Sequence, residues 1–319
     1  MKEDAVRPVK SRIERVLVDG FPALKLSNGR MEAQVLPTLG GKVWSLRDME
    51  SGRNWIWNNP QVPLRTVPVG SEYDENWAGG WEELFPCDAA GNAFGRELPD
   101  HGEWWSRAWS WEVVDAESRL ELRMRLQCES IRVSCEKIIT LAADRPELTI
   151  RYRINNLEGE QIHFLFKQHL AVAVAPTDRI ELPAGQMTAV DRAFSTRLGG
   201  EGPYSWPIGV GRDGSPVDIS VLPSADQGHR EFVYVSELAE GWCGVRDAEG
   251  RRLRLRFPKE IFPHTWLFMT LGGWRGLYTV VLEPCTNKPK DLSAAIKAGQ
   301  CASLPRGGVL ECSVTASFE

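Results

Sequence analysis

The strongest constraint on this chain is a period-two alternation of apolar and polar residues that recurs along most of its length. In LELRMRLQC (120–128), Leu120, Leu122, Met124 and Leu126 share one face while Glu121, Arg123 and Arg125 take the other. ELTIRYRIN (147–155) repeats the pattern with Leu148, Ile150, Tyr152 and Ile154. VLECSVTASF (309–318) does so with Leu310, Cys312, Val314, Ala316 and Phe318. Successive side chains of an extended chain point to opposite faces, so each run fits a half-buried strand. Turn signals such as AADRP, NNLEG and RDGSP favour antiparallel neighbours. One helix is expected, with Asp291 as its cap, DLSAAIKA as its body and Gly299 as its end. The predicted fold is all-β: a single large antiparallel β-sandwich with one or two short helices. It is expected to span 1–319 as one domain, with 1–10 a loosely held tail.

Several function classes lose support at once. No run of 18 apolar residues exists, and the opening MKEDAVRPVK has no apolar core, so neither a membrane span nor a signal peptide is expected. A net charge of −5 argues against a nucleic-acid surface. The densest basic run, RRLRLRF (251–257), alternates Arg252, Arg254 and Arg256 with Leu253, Leu255 and Phe257, which predicts a strand with one solvated face. The seven cysteines are odd in number and form no C-x-x-C pair. They are expected to be reduced thiols of a cytoplasmic protein, with no zinc site. GVGRDG (209–214) matches a dinucleotide-binding fingerprint but runs into Ser215-Pro216 rather than a helix, so it predicts a turn. No metal or cofactor is expected.

Three segments offer acid–base chemistry. LPDHGEWW (98–105) places His101 between Asp100 and Glu103, followed by Trp104 and Trp105. It lies in a region unusually rich in tryptophan, nine of the 13 falling between Trp44 and Trp111. QIHFLFKQHLAV (161–172), read as a strand, puts His163, Leu165, Lys167 and His169 on one face, either solvated or lining a pocket. GLYTVVLEPCTN (276–287) is apolar on both faces and ends at Glu283 before Pro284. A carboxylate at the end of a buried strand is either paired with a cation or left as a proton acceptor of raised pKa. Two irregular stretches, 58–100 and 183–216, are the connections expected to carry a site.

In order along most of the chain, the segments resemble the galactose mutarotase-like (aldose 1-epimerase) superfamily. They are PTLGGKVWSLRD (37–48), GGWEELFPCDAA (79–90), LPDHGEWWSRAW (98–109), FKQHLAV (166–172), ELAEGWCGVRD, FPHTWLF and RGLYTVVLEPCTNKP. The resemblance implies a single super-sandwich that opens a sugar ring by general acid and base, without metal or cofactor. Glu283 would take the proton of the anomeric hydroxyl, His169 would protonate the ring oxygen, and His101 would bind the sugar near that oxygen. Asp100 or Glu103 would fix the His101 tautomer, and at most one of Trp104 and Trp105 would meet the sugar; Trp104 is the candidate. The Asn-Arg pair of galactose-type members has no counterpart; GGWEELFPC stands there, which makes Glu82 and Glu83 candidates for hydroxyl recognition or for a turn. The family's middle aspartate is open among Asp178, Asp191 and Asp213. Lys167 either meets an anionic sugar, with Arg65 or Arg107, or forms a salt bridge to Glu82, Glu83 or Glu283; the salt bridge is the preferred reading.

The expected activity is interconversion of α and β anomers of a free or modified aldose. The alternatives are a non-catalytic carbohydrate-binding protein on the same fold and a polysaccharide-processing enzyme. The expected partner is a small-molecule sugar, met by a monomer or homodimer, with neither nucleic acid nor membrane involved.

Overall fold

The alternating segments form the strands expected of them. The computed structural model describes residues 11–93, 95–116, 119–183 and 185–319, so the expected tail at 1–10 lies outside the described residues. Strands Arg119–Gln127, Val133–Leu141, Glu147–Asn156 and Val309–Phe318 lie side by side, with Ile139 opposite Ile150 and Ile150 opposite Val314. With Ser110–Ala116, Arg252–Arg256, Trp242–Arg246 and Arg179–Glu181 they complete an eight-stranded sheet.

A second sheet has 11 strands. Its first half follows chain order: Arg12–Val18, Phe21–Ser27, Met31–Leu36, Lys42–Asp48 and Trp81–Leu84. The order then runs Lys167–Val172, Tyr278–Cys285, His264–Leu271, His229–Ser236, Gln186–Ala189 and Tyr204–Ser205. Every ladder between these strands is antiparallel, those joined by short hairpins and those between distant segments alike.

The inner faces share one core. Val43, Trp81, Leu170, Leu267 and Leu282 from the larger sheet pack with Leu122, Met124, Ile139, Ile150 and Val314 from the smaller. Each such side chain contributes about 1.5–3 kcal/mol on burial. In the last strand Val314 and Ala316 are buried, whereas Leu310, Cys312 and Phe318 are half-buried. The arginine run behaves as expected: Leu253 and Leu255 are buried, and Arg252, Arg254 and Arg256 face outward. GVGRDG forms the turn of a hairpin between Ile208–Val210 and Pro216–Asp218.

Helix Leu292–Ala298 starts where the Asp291 carboxylate accepts the Ala294 N–H at 2.6 Å and stops at Gly299, in the left-handed conformation. Among the described residues a further α-helical turn, Tyr73–Asn76, comes from the irregular 58–100 stretch, and a 3-10 turn spans Ala225–Gln227. Among the described residues no helix is long and apolar enough to cross a membrane, and no cluster of His, Cys, Asp and Glu is arranged to hold a metal.

Candidate active site

Five neighbouring strands in the middle of the larger sheet turn the same face away from the inter-sheet core. Trp81–Leu84 presents Glu82, Lys167–Val172 presents Lys167 and His169, Tyr278–Cys285 presents Glu283, and the next two present Phe268 and Phe232. Register fixes this: Glu82 lies opposite His169, Lys167 opposite Cys285 and Leu170 opposite Leu282, so the residues between keep their parity. Connections close a cavity of about 200 Å³ over this face with Tyr73, Asp74, Trp77, Asp88, His101 and Trp274. That volume is below the roughly 300–1,000 Å³ of drug-sized pockets and suits one small polar ligand. Larger hollows of about 490 and 440 Å³ lie over the outer face of the smaller sheet. There Arg125 and Arg153 are held by Glu112, Glu136 and Glu311 on a solvated surface.

His101 is held in place by its backbone. It adopts φ 57°, the left-handed region that non-glycine residues rarely enter, and its N–H donates to Asp88 O at 2.7 Å. Gly102 follows at φ 68°, with the Glu103 N–H donating to Phe85 O at 2.8 Å. A Cβ at Gly102 would stand 2.0 Å from Phe85 O, so no side chain fits. G102A is expected to lose roughly 1–3 kcal/mol of stability, read by urea unfolding, and to lower any activity that needs His101. Wild-type stability in that variant would remove the constraint.

The ionisable groups are set apart from one another. Burial raises the Glu283 carboxyl above its ordinary value; Lys167 pulls it down and Asp88 pushes it up, leaving it raised. Burial resists charge on His101, yet Asp88 and the hydrogen bond to Asp100 Oδ1 at 2.9 Å outweigh that and hold the imidazole above its ordinary value. His169 goes the other way: burial and the Lys167 charge keep it well below, and therefore neutral. The Lys167 ammonium stands 2.5 Å from both Asp88 and Glu283 and 4.3 Å over the Trp266 ring. Burial opposes its charge, and the two carboxylates more than compensate. The cavity thus holds a carboxyl and an imidazole both raised above their ordinary values beside an imidazole held well below its own, the kind of separation that acid–base sites use.

No protein-family model matches the sequence, and a search of curated proteins finds no match. Solved structures do match. A provisionally named aldose 1-epimerase from Klebsiella pneumoniae subsp. pneumoniae superposes with a TM-score of 0.75 at 13% identity, over 96% of this chain and 83% of that one. A galactose mutarotase-like protein from Clostridium acetobutylicum gives 0.72 at 13% identity, over 97% and 99%. One from Lactobacillus casei gives 0.61 at 14%, over 93% and 100%. The chain has the galactose mutarotase-like fold.

On this galactose mutarotase-like scaffold the residues singled out from sequence do not all meet. Glu283, His169, His101, Lys167 and the Asp100–His101 pair gather at the cavity, with Glu82 one hydrogen bond behind it. Glu83 does not: it points into the inter-sheet core and binds Lys137. Trp104 is fully buried, stacked 4.4 Å from Phe85, and Trp105 packs edge-on behind Tyr73. Glu103 accepts the backbone N–H groups of Glu129 and Ser130, so of the two flanking acids it is Asp100 that partners His101. His163 sits in a separate two-stranded sheet, because the extended segment breaks between Phe164 and Lys167.

None of the three open aspartates reaches the site. Asp178 binds Arg53, while Asp191 and Asp213 brace turns. Arg65 and Arg107 are engaged elsewhere, by Asn76 and by Glu129. Sequence reasoning missed Tyr73, Trp77, Asp88 and Trp274. Asp88 stands in the GGWEELFPCDAA segment. A buried lysine needs a carboxylate, and that demand is the signal that points to it.

Proposed function

We propose that this protein is an aldose 1-epimerase-like isomerase that interconverts the α and β anomers of a free aldose. The observation that carries the reading is the convergence of the Glu283 carboxylate with two imidazoles whose proton affinities are pushed in opposite directions, in one small, aromatic-walled cavity. The Glu283 carboxylate takes the proton of the anomeric hydroxyl as the bond from C1 to the ring oxygen breaks, and an imidazole gives a proton to the ring oxygen. The open aldehyde turns about C1–C2 and closes on its other face, and both protons return. Trp77, Trp274 and Phe268 offer apolar faces to the C–H side of a sugar ring. Lys167 is already neutralised by two carboxylates, which favours a neutral sugar over an anionic one.

The test is anomer exchange followed by NMR over neutral, acidic and phosphorylated aldoses. Accelerated exchange of a neutral aldose is expected; no acceleration across the panel would shift the assignment to a sugar-binding protein. The pH profile follows from the same groups. The rate should rise as pH climbs through the Glu283 pKa, raised above 4.5, because the base must be ionised. It should fall as pH passes the His101 pKa, raised above 6.5, because the donor must be protonated. A profile flat across that window would count against both assignments.

A further inference from the structure

A chain of buried polar contacts runs from Lys42 to the cavity. The Lys42 ammonium stands 2.6 Å from Glu82 Oε2, and Tyr73 Oη stands 2.5 Å from Glu82 Oε1. Tyr73 Oη is also 3.1 Å from His169 Nδ1. A tyrosine hydroxyl has one proton to give. The Tyr73 hydroxyl donates that proton to Glu82 Oε1, while the other Glu82 oxygen faces the Lys42 ammonium. Tyr73 then has only lone pairs to offer His169, and the 3.1 Å contact needs the hydrogen on Nδ1. A neutral imidazole carries a single N–H, which leaves Nε2 bare. No hydrogen bond to Nε2 is made by the described residues, and His169 lines the cavity. The Tyr73 ring also lies flat on His101, with centroids 3.9 Å apart and planes 7° from parallel.

We infer that Tyr73 is a positioning residue: backed by Glu82 and Lys42, it locks His169 in the Nδ1–H tautomer, so that Nε2 meets the substrate as a hydrogen-bond acceptor and His101 is the proton donor of the pair. His101 is disposed for that part. Its Nδ1–H donates to Asp100, and its Nε2 lies 3.9 Å from Asp88, too far for a direct hydrogen bond. In the ring-opening step the His101 Nε2–H gives its proton to the ring oxygen while Glu283 gains the anomeric proton, so charge and protons balance. His169 Nε2 accepts a hydrogen bond from a sugar hydroxyl. This exchanges the imidazole roles that resemblance alone implies. The catalytic consequence rests on the epimerase reading; the tautomer does not.

The experiment is 15N NMR of the full chain labelled at its five histidines, with the His169 signals assigned by their loss in His169→Gln. The expected result is a protonated Nδ1 and a bare Nε2 in the unaltered protein. Tyr73→Phe keeps the ring on His101 but removes the acceptor, so the hydrogen should move towards Nε2. Turnover should fall about 10–100-fold, with KM changed far less. An Nε2–H tautomer in the unaltered protein overturns the inference, whatever the variant does. So does an Nδ1–H that persists in Tyr73→Phe, or a moved hydrogen that leaves turnover unchanged. The expected tautomer without anomer exchange on any sugar would instead overturn the epimerase reading and uphold the tautomer.

Discussion

Glu283→Gln is expected to keep sugar affinity and to lose about a hundredfold or more in turnover, the scale of a general base. The amide matches the carboxylate in shape, so the strand Tyr278–Cys285 and its neighbours keep their packing. Lys167 retains Asp88 at 2.5 Å, which spares the variant an uncompensated buried ammonium. What disappears is the cavity carboxylate whose proton affinity is raised by burial and by Asp88. Stability and sugar binding can therefore be read beside turnover, the first by urea unfolding and the second by tryptophan fluorescence. Equal turnover in the two proteins would sink the assignment of Glu283. Equal binding with no turnover in either would identify a carbohydrate-binding protein that keeps the site without using it.

How far the sequence reveals this site follows from what alternation can encode. Parity along a strand is local, so Lys167 with His169, and Leu277 and Val281 with Glu283, fall on common faces from the residue pattern alone. The helix behind Asp291 is legible for the same reason, its cap and its terminating glycine being close in sequence. Parity also separates Glu82 from Glu83, adjacent residues that must face opposite ways, yet resemblance alone leaves both as site candidates. Tyr73, Trp77, Asp88 and His101 arrive on connections, and nothing periodic says over which strand a connection folds. Trp104 and Trp105 lie outside any strand, so their adjacency does not set opposite faces and both are buried. Lys137 is visible in the sequence and easily overlooked. In VSCEKIITL it falls on the face of Val133, Cys135 and Ile139, a charge written into a core position.

That charge carries the second large effect. Lys137 and Glu83 are fully buried between the sheets, 2.6 Å apart, and join the smaller sheet to the strand that carries Glu82. Glu83 also accepts the Tyr152 hydroxyl at 2.6 Å, and the Lys137 ammonium lies 5.2 Å over the Trp109 ring. Lys137→Met or Glu83→Gln alone should cost roughly 3–5 kcal/mol in urea unfolding, because each leaves one buried charge without its counter-ion. The double variant, with both charges gone, should regain most of that loss, since the pair's attraction largely offsets its own desolvation. The cycle isolates this coupling, because both single variants remove the same contact. Single costs below about 1 kcal/mol that simply add would show that the pair does not brace the sheets. Lys137 faces away from the cavity, so folded Lys137→Met should turn over sugar at the unaltered rate. A fall in rate per folded molecule would mean instead that the brace on Glu83 also sets the position of Glu82, and through Tyr73 that of His169.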